Sequence, residues 1–189
     1  GKEVHFKHPK ESIAAGVGLL PEDRHRKGLV LSWEIYKNTS LSTLSKYISW
    51  KGMDVKQERL DAKNLNEKLG TKIQSVSDIA SSLSGGNQQK VVFSKLLNSD
   101  LKVLILDEPT KGVDVGAKAQ IYEIIMDLVE SGYGVILISS EMPEVISVSD
   151  RIAIMSNGRL AEIVDAQGIT QERILATAMQ VRDNGEGEK

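Results

Sequence analysis

The feature that most constrains the fold is an alternation of short aliphatic runs and helical patterns in the second half of the chain. Residues 102–107 and 135–139 are apolar runs without polar alternation, which is typical of strands covered on both faces. Between them, residues 116–131 carry apolar side chains at helical spacing, and a short helix near 143–147 and a strand at 152–155 continue the series. This order predicts an α/β fold with a mostly parallel sheet flanked by helices.

Weaker patterns predict the remaining elements. Residues 54–69 form a helical pattern with a thin apolar stripe and many charges, which is typical of a surface helix. Another helix is predicted to begin near Gly86, and a strand at 159–164 follows the turn Ser156-Asn157-Gly158. The first part of the chain is less regular, with a predicted helix at 9–15 between predicted strands at 4–6 and 17–20.

Composition excludes several classes of protein. The 189 residues include no cysteine, so disulfides, zinc ribbons and thiol nucleophiles are excluded. The net charge of -2 argues against a nucleic-acid partner, which needs a basic surface. No apolar run approaches the ~18 residues of a membrane span, and the first residues do not resemble a signal peptide. We therefore expect a soluble, intracellular domain.

A serine and two glycines stand immediately before one of the predicted helices. An isolated Ser-Gly-Gly is usually a flexible loop, but this one lies in the run LSGGNQQK, residues 83–90. Gly85 and Gly86 let the backbone approach a ligand, and a helix start offers unpaired N–H groups and a positive dipole end. The Ser84 hydroxyl adds a further donor. We interpret this turn as a phosphate cap.

An acidic pair, Asp107 and Glu108, ends the aliphatic run of residues 103–106. The pair could simply mark the end of the strand and have no function. However, parallel sheets bind ligands at the carboxyl ends of their strands. One carboxylate at that edge can hold Mg²⁺, usually through water. The adjacent carboxylate can orient a water molecule for attack on a terminal phosphate. A phosphate cap followed by this pair indicates nucleotide hydrolysis.

The same motifs resemble those of a known family. LSGGNQQK and the following hydrophobic run with Asp-Glu-Pro are similar to the signature and Walker B motifs of ATP-binding cassette (ABC) ATPases, and residues 110–114, TKGVD, are similar to their D-loop. Residues 20–24, 106–118 and 138–144 resemble the second cassette of two-cassette subunits that energise bacterial ribose-, galactose- and xylose-type importers. The resemblance implies a P-loop NTPase-like sheet with a helical signature subdomain, incomplete at its N-terminus.

The resemblance also implies roles for individual residues. In the family, two cassettes enclose ATP head to tail, so that each ATP lies between the Walker motifs of one cassette and the signature of the other. Asp107 would support Mg²⁺ through water, and Glu108 would be the catalytic base that orients the attacking water. Asp114 would contact the opposing cassette. The γ-phosphate of the partner's ATP would be capped by four residues, Ser84, Gly85, Gly86 and Gln88.

By the same resemblance, the chain has four parts and several partners. Residues 1–28 correspond to a remnant of the catalytic subdomain, 29–99 to the helical subdomain, 100–180 to the catalytic core and 181–189 to a polar tail. The cofactors are ATP and Mg²⁺. The expected partners are a second cassette, the permease subunits of a sugar importer and, indirectly, a sugar-binding protein. The expected location is the cytoplasmic face of the cell membrane.

Three features depart from the family pattern. The sequence contains no G-x-x-x-x-G-K-[ST] phosphate loop, so we expect that it begins after the Walker A motif. We therefore expect that the chain alone has no ATPase activity. We also expect that it self-associates through strands left unpaired in its sheet. Glu22 stands at the position of the Q-loop glutamine. Ser140 stands at the position of the switch histidine, and a hydroxyl cannot become cationic to stabilise transition-state charge.

Two alternatives to an active importer cassette remain open. The three departures favour a catalytically degenerate cassette that acts as a regulatory or binding module without its own turnover. DNA-repair and chromosome-structuring ATPase heads also carry a Ser-Gly-Gly signature, but the near-neutral charge and the absence of coiled-coil heptads disfavour them. The basic cluster at residues 24–27 is predicted to be a solvated face or a contact with the membrane subunit. The three histidines, His5, His8 and His25, are predicted to be surface residues.

Overall fold

The computed structural model describes residues 3–183, which divide into two compact units, one ending at Ile138 and the other beginning at Ser139. The elements of the first unit are α1 (Pro9–Ala14), β1 (Val17–Leu20), α2 (Ile35–Ser40), β2 (Ile48–Ser49), β3 (Gly52–Met53), α3 (Val55–Lys68), α4 (Gly85–Leu97), β4 (Val103–Asp107), α5 (Val115–Glu130) and β5 (Gly134–Ile138). Short helical turns lie at Arg24–Gly28, Leu41–Tyr47 and Ala80–Ser82.

A parallel sheet with the strand order β1-β4-β5 forms the centre of the first unit. One face of this sheet packs against α4 and α5, because those helices present aliphatic side chains toward it. Val135 and Leu137 of β5 are partly buried and pack against this core. Its buried residues come from β1, β4 and the two helices and include Leu20, Leu104, Leu106, Val91, Phe93, Ile121 and Ile125. The predicted parallel α/β sheet is confirmed.

The other face of the same sheet is only partly covered. Leu19, Ile105 and Ile136 are in register across the three strands and form one aliphatic row. Leu19 is 55% exposed and Ile136 is 53% exposed, while Ile105 is half-buried. The prediction that the runs at 102–107 and 135–139 are covered on both faces is therefore wrong for the described residues, since α4 and α5 both lie on the opposite face.

The helical region between β1 and β4 is organised around buried polar groups as well as apolar ones. Asn38 is fully buried, and its side chain both accepts from the Val30 amide and donates to the Val30 carbonyl, which fixes the segment that leads into α2. Between α2 and α4, the hydroxyls of Thr39 and Ser94 lie 2.9 Å apart. Asp54 caps α3 by accepting a hydrogen bond from the Gln57 amide. These contacts fix the segments that lead into α2 and α3 and join α2 to α4.

The second unit contains α6 (Met142–Val148), β6 (Arg151–Ser156), β7 (Arg159–Asp165) and α7 (Gln171–Asp183). Strands β6 and β7 pair antiparallel around Asn157 and Gly158, both at positive φ, which confirms the predicted hairpin. Ile152 and Ile154 bury one face of this hairpin, and Ile174 from α7 lies in the same core. The prediction that the strand at 152–155 continues the parallel series is wrong for the described residues, because β6 pairs with β7 in a separate two-stranded sheet.

At the two ends of the chain, the sequence predicts a strand at residues 4–6 and a polar tail at residues 181–189. Residues 4–6 form no strand, because Val4 and Phe6 are exposed and have no neighbouring strand to pair with in the described part of the chain. Helix α7 extends to Asp183 and so includes residues 181–183 of the predicted polar tail, while residues 184–189 lie outside the described residues. Within residues 3–183, no helix combines the length and the apolar character needed to cross a bilayer.

Candidate phosphate-binding site

The Ser84–Gly86 turn leads directly into α4. Ser84 is exposed and in extended conformation, and its carbonyl accepts the first helical hydrogen bond, from the Gln88 amide at 2.9 Å. Its hydroxyl does not cap the helix, but accepts a hydrogen bond from the side-chain amide of Asn87 at 3.0 Å. The backbone N–H groups of the first turn have no partner within a helix. The turn therefore presents a hydroxyl and the positive end of a 13-residue helix at the surface.

Both glycines of this turn are also required by close packing. A Cβ atom on Gly86 would lie 2.5 Å from the Cβ of Ala117 at the start of α5, so only glycine lets the two helices approach this closely. A Cβ atom on Gly85 would lie 3.1 Å from the carbonyl oxygen of Gly112 and 2.9 Å from the guanidinium of Arg24. The two glycines thus place the signature turn directly against the 110–114 loop.

Gln88 occupies a different position from the other three predicted capping residues. Its side chain is buried, with 7% of the residue exposed. The amide oxygen lies 3.0 Å from the His25 Nε2 atom and 3.5 Å from the Arg24 Nε atom, and the amide nitrogen donates to the Ala80 carbonyl at 3.3 Å. The amide is therefore turned into the protein, whereas Ser84 faces outward.

Asp107 and Glu108 lie at the carboxyl end of β4, where the sequence places them. Both side chains are half-buried. Glu108 has a φ of 49°, in the left-handed region, and its amide donates to the Ile138 carbonyl at 2.8 Å. A glutamate in that conformation stores strain, and strained residues of this kind concentrate at functional sites.

Glu22, at the predicted Q-loop position, forms an ion pair with Lys111. The Lys111 Nζ atom donates to the Glu22 carboxylate at 2.5 Å, and both side chains are exposed. The hydrogen bond from this carboxylate raises the pKa of Lys111, and the charges of Glu108 and Asp107 raise it further. Lys111 therefore links the Q-loop position to the acidic end of β4.

The loop between β4 and α5 ends at Asp114. Gly112 has a φ of 66°, which lets the loop turn back toward α4. The Asp114 carboxylate accepts a hydrogen bond from the Ala117 amide at 3.0 Å and so caps α5. The predicted contact of Asp114 with an opposing cassette thus stays a prediction, while the residue has a local structural role in this unit.

Sequence reasoning missed the role of Arg24 and His25. Arg24 is half-buried and donates to the carbonyls of Lys111 and Gly112, at 2.8 and 3.1 Å. The side chain of Arg26, two positions later, is 87% exposed, so the basic cluster at 24–27 is not one solvated face. The sequence feature that indicates an ordered turn here is Asp23, whose carboxylate accepts hydrogen bonds from the amides of His25 and Arg26. A shallow cavity of about 350 Å³ is lined by Glu22, Asp23, Arg24, His25 and Lys111.

Ser140 belongs to the second unit, where it lies two residues before the start of α6 and is exposed. The neighbouring Ser139 hydroxyl donates to the Glu144 carboxylate and accepts from the Glu141 amide. Glu144 is 4% exposed. The segment around the predicted switch position is therefore fixed by its own helix start.

Comparison with known proteins identifies the family. A family model described as ABC transporter matches residues 1–111, which is more than half of the chain. This chain belongs to the ABC transporter family. The resemblance drawn from the signature and Walker B motifs is thereby confirmed: the chain is an ABC cassette.

The cassette is similar to named sugar-import subunits. It is 46% identical over 178 residues to the xylose import ATP-binding protein XylG of Geobacillus kaustophilus, an alignment that covers 94% of the cassette and 35% of that protein. It is 44% identical over 178 residues to the ribose import ATP-binding protein RbsA of Chromobacterium violaceum, with 94% and 36% covered. The cassette thus spans about a third of the length of the curated relatives that it matches.

Solved structures support the fold. A nucleotide-free ATP-binding cassette from an ABC transporter superposes with a TM-score of 0.74 at 18% identity, covering 95% of this chain and 70% of that one. The dimeric post-hydrolysis cassette MJ0796 bound to ADP and phosphate gives a TM-score of 0.71 at 17% identity, covering 87% and 69%. The predicted P-loop NTPase-like fold is confirmed.

Proposed function

We propose that this cassette energises ATP-driven import of a monosaccharide, with the Ser84–Gly86 turn capping the γ-phosphate of an ATP molecule held by a second cassette. The named relatives, which are xylose and ribose import ATP-binding proteins, support the sugar-import role. The partners in this proposal are the second cassette, the membrane permease at the cytoplasmic face and, through the permease, a sugar-binding protein.

The outward-facing start of α4 is the observation that carries the proposal. The Ser84 hydroxyl and the first-turn amides of a long helix lie together at the surface, which suits an anion such as a phosphate. Gly85 and Gly86 let this turn pack closely against the Lys111–Gly112 loop and the start of α5. Gln88 is turned inward, so the proposal assigns the cap to Ser84, Gly85 and Gly86 and gives Gln88 a supporting role.

The family implies ATP and Mg²⁺, and the residues at the end of β4 fit both. The described residues contain no group of three or more His, Cys, Asp or Glu side chains arranged to hold a metal. A Mg²⁺ ion here would therefore be held by Asp107 together with phosphate oxygens and water, which is the arrangement that this ion prefers. The bound ion would neutralise phosphate charge, and Glu108, set by its left-handed backbone, would orient a water molecule for in-line attack.

Paired substitutions in the full reading frame that contains this cassette test the proposal. Ser84→Arg places a long side chain in the cap and should lower the ATPase rate about hundredfold, comparable to the loss of a preorganised transition-state donor. Ser81→Arg, on an exposed serine three residues earlier, is the control and should leave the rate unchanged. Normal ATPase activity of the Ser84→Arg protein would contradict the capping role.

Glu108→Gln, tested beside these variants, measures how much of the ATPase activity comes from the cassette's own nucleotide site. We expect a loss below about tenfold, smaller than the ~10²–10⁴ of a fully engaged general base, because Glu22 and Ser140 replace the family glutamine and histidine. Equal losses from Ser84→Arg and Glu108→Gln would contradict this asymmetry between the two sites.

The ion pair between Glu22 and Lys111 favours a second candidate function. The ion pair engages the Glu22 carboxylate at the Q-loop position. This is expected of a degenerate cassette that acts as a regulatory or binding module without its own turnover. Under that alternative, neither Ser84→Arg nor Glu108→Gln changes the ATPase rate. The same assay therefore separates the two functions.

A further inference from the structure

The pair Arg24–His25 contacts two parts of the candidate site at once. The two terminal nitrogens of the Arg24 guanidinium donate separately to the carbonyls of Lys111 and Gly112, at 2.8 and 3.1 Å. These carbonyls belong to the loop that follows the acidic end of β4. A planar guanidinium can bind two adjacent acceptors in this way, whereas a lysine ammonium is a single point charge.

The same pair also contacts the start of α4. The Oε1 atom of Gln88 lies 3.0 Å from the His25 Nε2 atom and 3.5 Å from the Arg24 Nε atom. Gln88 is the fourth residue of α4, so this contact fixes the first turn of the helix that carries the proposed cap. The Arg24 guanidinium also lies beside Gly85, where an added Cβ atom would be 2.9 Å from its Nη2 atom.

Local hydrogen bonds order the turn that carries Arg24 and His25. The Asp23 carboxylate accepts from the amides of His25 and Arg26, both at 3.1 Å. The hydrogen bond from the Arg26 amide is the main cause that lowers the pKa of Asp23, because it favours the ionised carboxylate. The Arg24 carbonyl accepts from the Leu29 amide at 2.8 Å and closes the turn.

We infer that Arg24 and His25 form a bracket that positions the first turn of α4 and the Lys111–Gly112 loop relative to each other. The inference rests on the proposed function, because the bracket matters for turnover only if the α4 turn caps a phosphate. Arg24 is a positioning residue in this scheme and touches no reacting atom. A displacement of the 22–25 segment is transmitted to both sites together, since each contact is a direct hydrogen bond.

Arg24→Lys in the full reading frame tests the bracket, with Arg26→Lys as the matched control because the Arg26 side chain is 87% exposed. Loss of the two-carbonyl contact should lower kcat about tenfold, because small misplacements of a site can cost up to ~10²-fold. The KM for ATP should stay within about twofold, since the cap is engaged only when the two cassettes close. Arg26→Lys should match the parent protein in both constants.

Amide hydrogen exchange on the same proteins gives a second readout. Arg24→Lys should speed exchange at both the Gln88 amide of α4 and the Val113 amide, which are hydrogen-bonded to the Ser84 and Thr110 carbonyls, without lowering the melting temperature. Gln88→Met removes the contacts of Arg24 and His25 with α4, together with the hydrogen bond to the Ala80 carbonyl, and keeps the contacts of Arg24 with Lys111 and Gly112. It should therefore speed exchange at the Gln88 amide and leave the Val113 amide unchanged. Because Gln88→Met leaves Arg24 in place, it still tests the bracket if Arg24→Lys does not fold.

The outcomes separate this inference from the proposed function. If Ser84→Arg abolishes turnover while Arg24→Lys keeps the parent kcat and exchange pattern, the bracket is wrong and the capping role stands. If Ser84→Arg has no effect, the proposed function fails, and the inference fails with it. An equal rise in exchange across the whole cassette in Arg24→Lys would show a purely structural role and would also overturn the inference.

Discussion

At Glu108 the backbone enters the left-handed region, which costs a residue other than glycine ~1–2 kcal/mol. We predict that Glu108→Gly raises the free energy of unfolding of the 189-residue chain by about 1 kcal/mol, because it removes this strain, while lowering ATPase activity in the full reading frame. Asn157→Gly is the matched control at a φ of 48°, and should gain only a few tenths of a kcal/mol, since asparagine tolerates this region. Urea denaturation at submicromolar concentration measures both. A destabilised Glu108→Gly protein would contradict the assignment of strain.

The half-buried residue Lys95 makes the stability of the chain depend on pH. Its Nζ atom donates to the Gly28 carbonyl at 2.5 Å, and burial lowers its pKa. Below the ordinary lysine pKa of ~10.4, the folded state therefore binds fewer protons than the unfolded state, so stability rises with pH in that interval. We predict that the free energy of unfolding of the parent chain minus that of Lys95→Met grows between pH 8 and pH 10. A difference that stays constant or falls would contradict the prediction.

Among the elements, helix α5 links stability to the site through its N-cap residue. Asp114 caps α5, and Asp114→Ala should lower the free energy of unfolding by about 1 kcal/mol. Asp114→Ser should preserve the cap because a serine hydroxyl can also accept from the Ala117 amide. If the carboxylate also contacts an opposing cassette, Asp114→Ser will keep stability but lower ATPase activity in the full reading frame.

The cap of α3 provides the control for this prediction. Asp54 accepts from the Gln57 amide at 3.0 Å in the same way, so Asp54→Ala should cost about as much stability as Asp114→Ala. It should leave the ATPase rate unchanged. Equal ATPase activity in the Asp114→Ser and parent proteins would show that the residue acts only as a cap.

For the whole molecule, the partly exposed face of the parallel sheet predicts association. Leu19, Ile105 and Ile136 form an aliphatic row, and β5 is an edge strand of this sheet within the described residues. Such a face buries apolar surface when it meets a second copy. We predict that the 189-residue chain is larger than a monomer by light scattering at micromolar concentration.

Charge placed on that face tests this prediction. Ile136→Lys should return the chain to a monomer, whereas Asn64→Lys, on an exposed residue of α3, should not. A monomeric parent chain with a concentration-independent melting temperature would show that the face does not drive association.

The sequence by itself determined the family, the strands β4 and β5, and the β6–β7 hairpin. The aliphatic runs predicted β4 and β5 as parallel strands, and the Asn-Gly pair predicted the β6–β7 hairpin, because backbone geometry and side-chain periodicity act over a few residues. The Ser-Gly-Gly turn and the acidic pair of Asp107 and Glu108 also act locally, so their place before a helix and after a strand could be predicted.

Tertiary structure decided which side chains face the site. Gln88 and Ser84 belong to one motif, yet one is buried and the other exposed, and Arg24 and Arg26 differ in the same way. Likewise, an unalternating apolar run does not reveal whether one or both of its faces are covered. These differences depend on contacts between residues far apart in the chain, such as those of Arg24 with Gln88 and Lys111, at separations of 64 and 87 positions. Local periodicity carries no information about such contacts, because they form only when the packed helices and sheet bring the segments together.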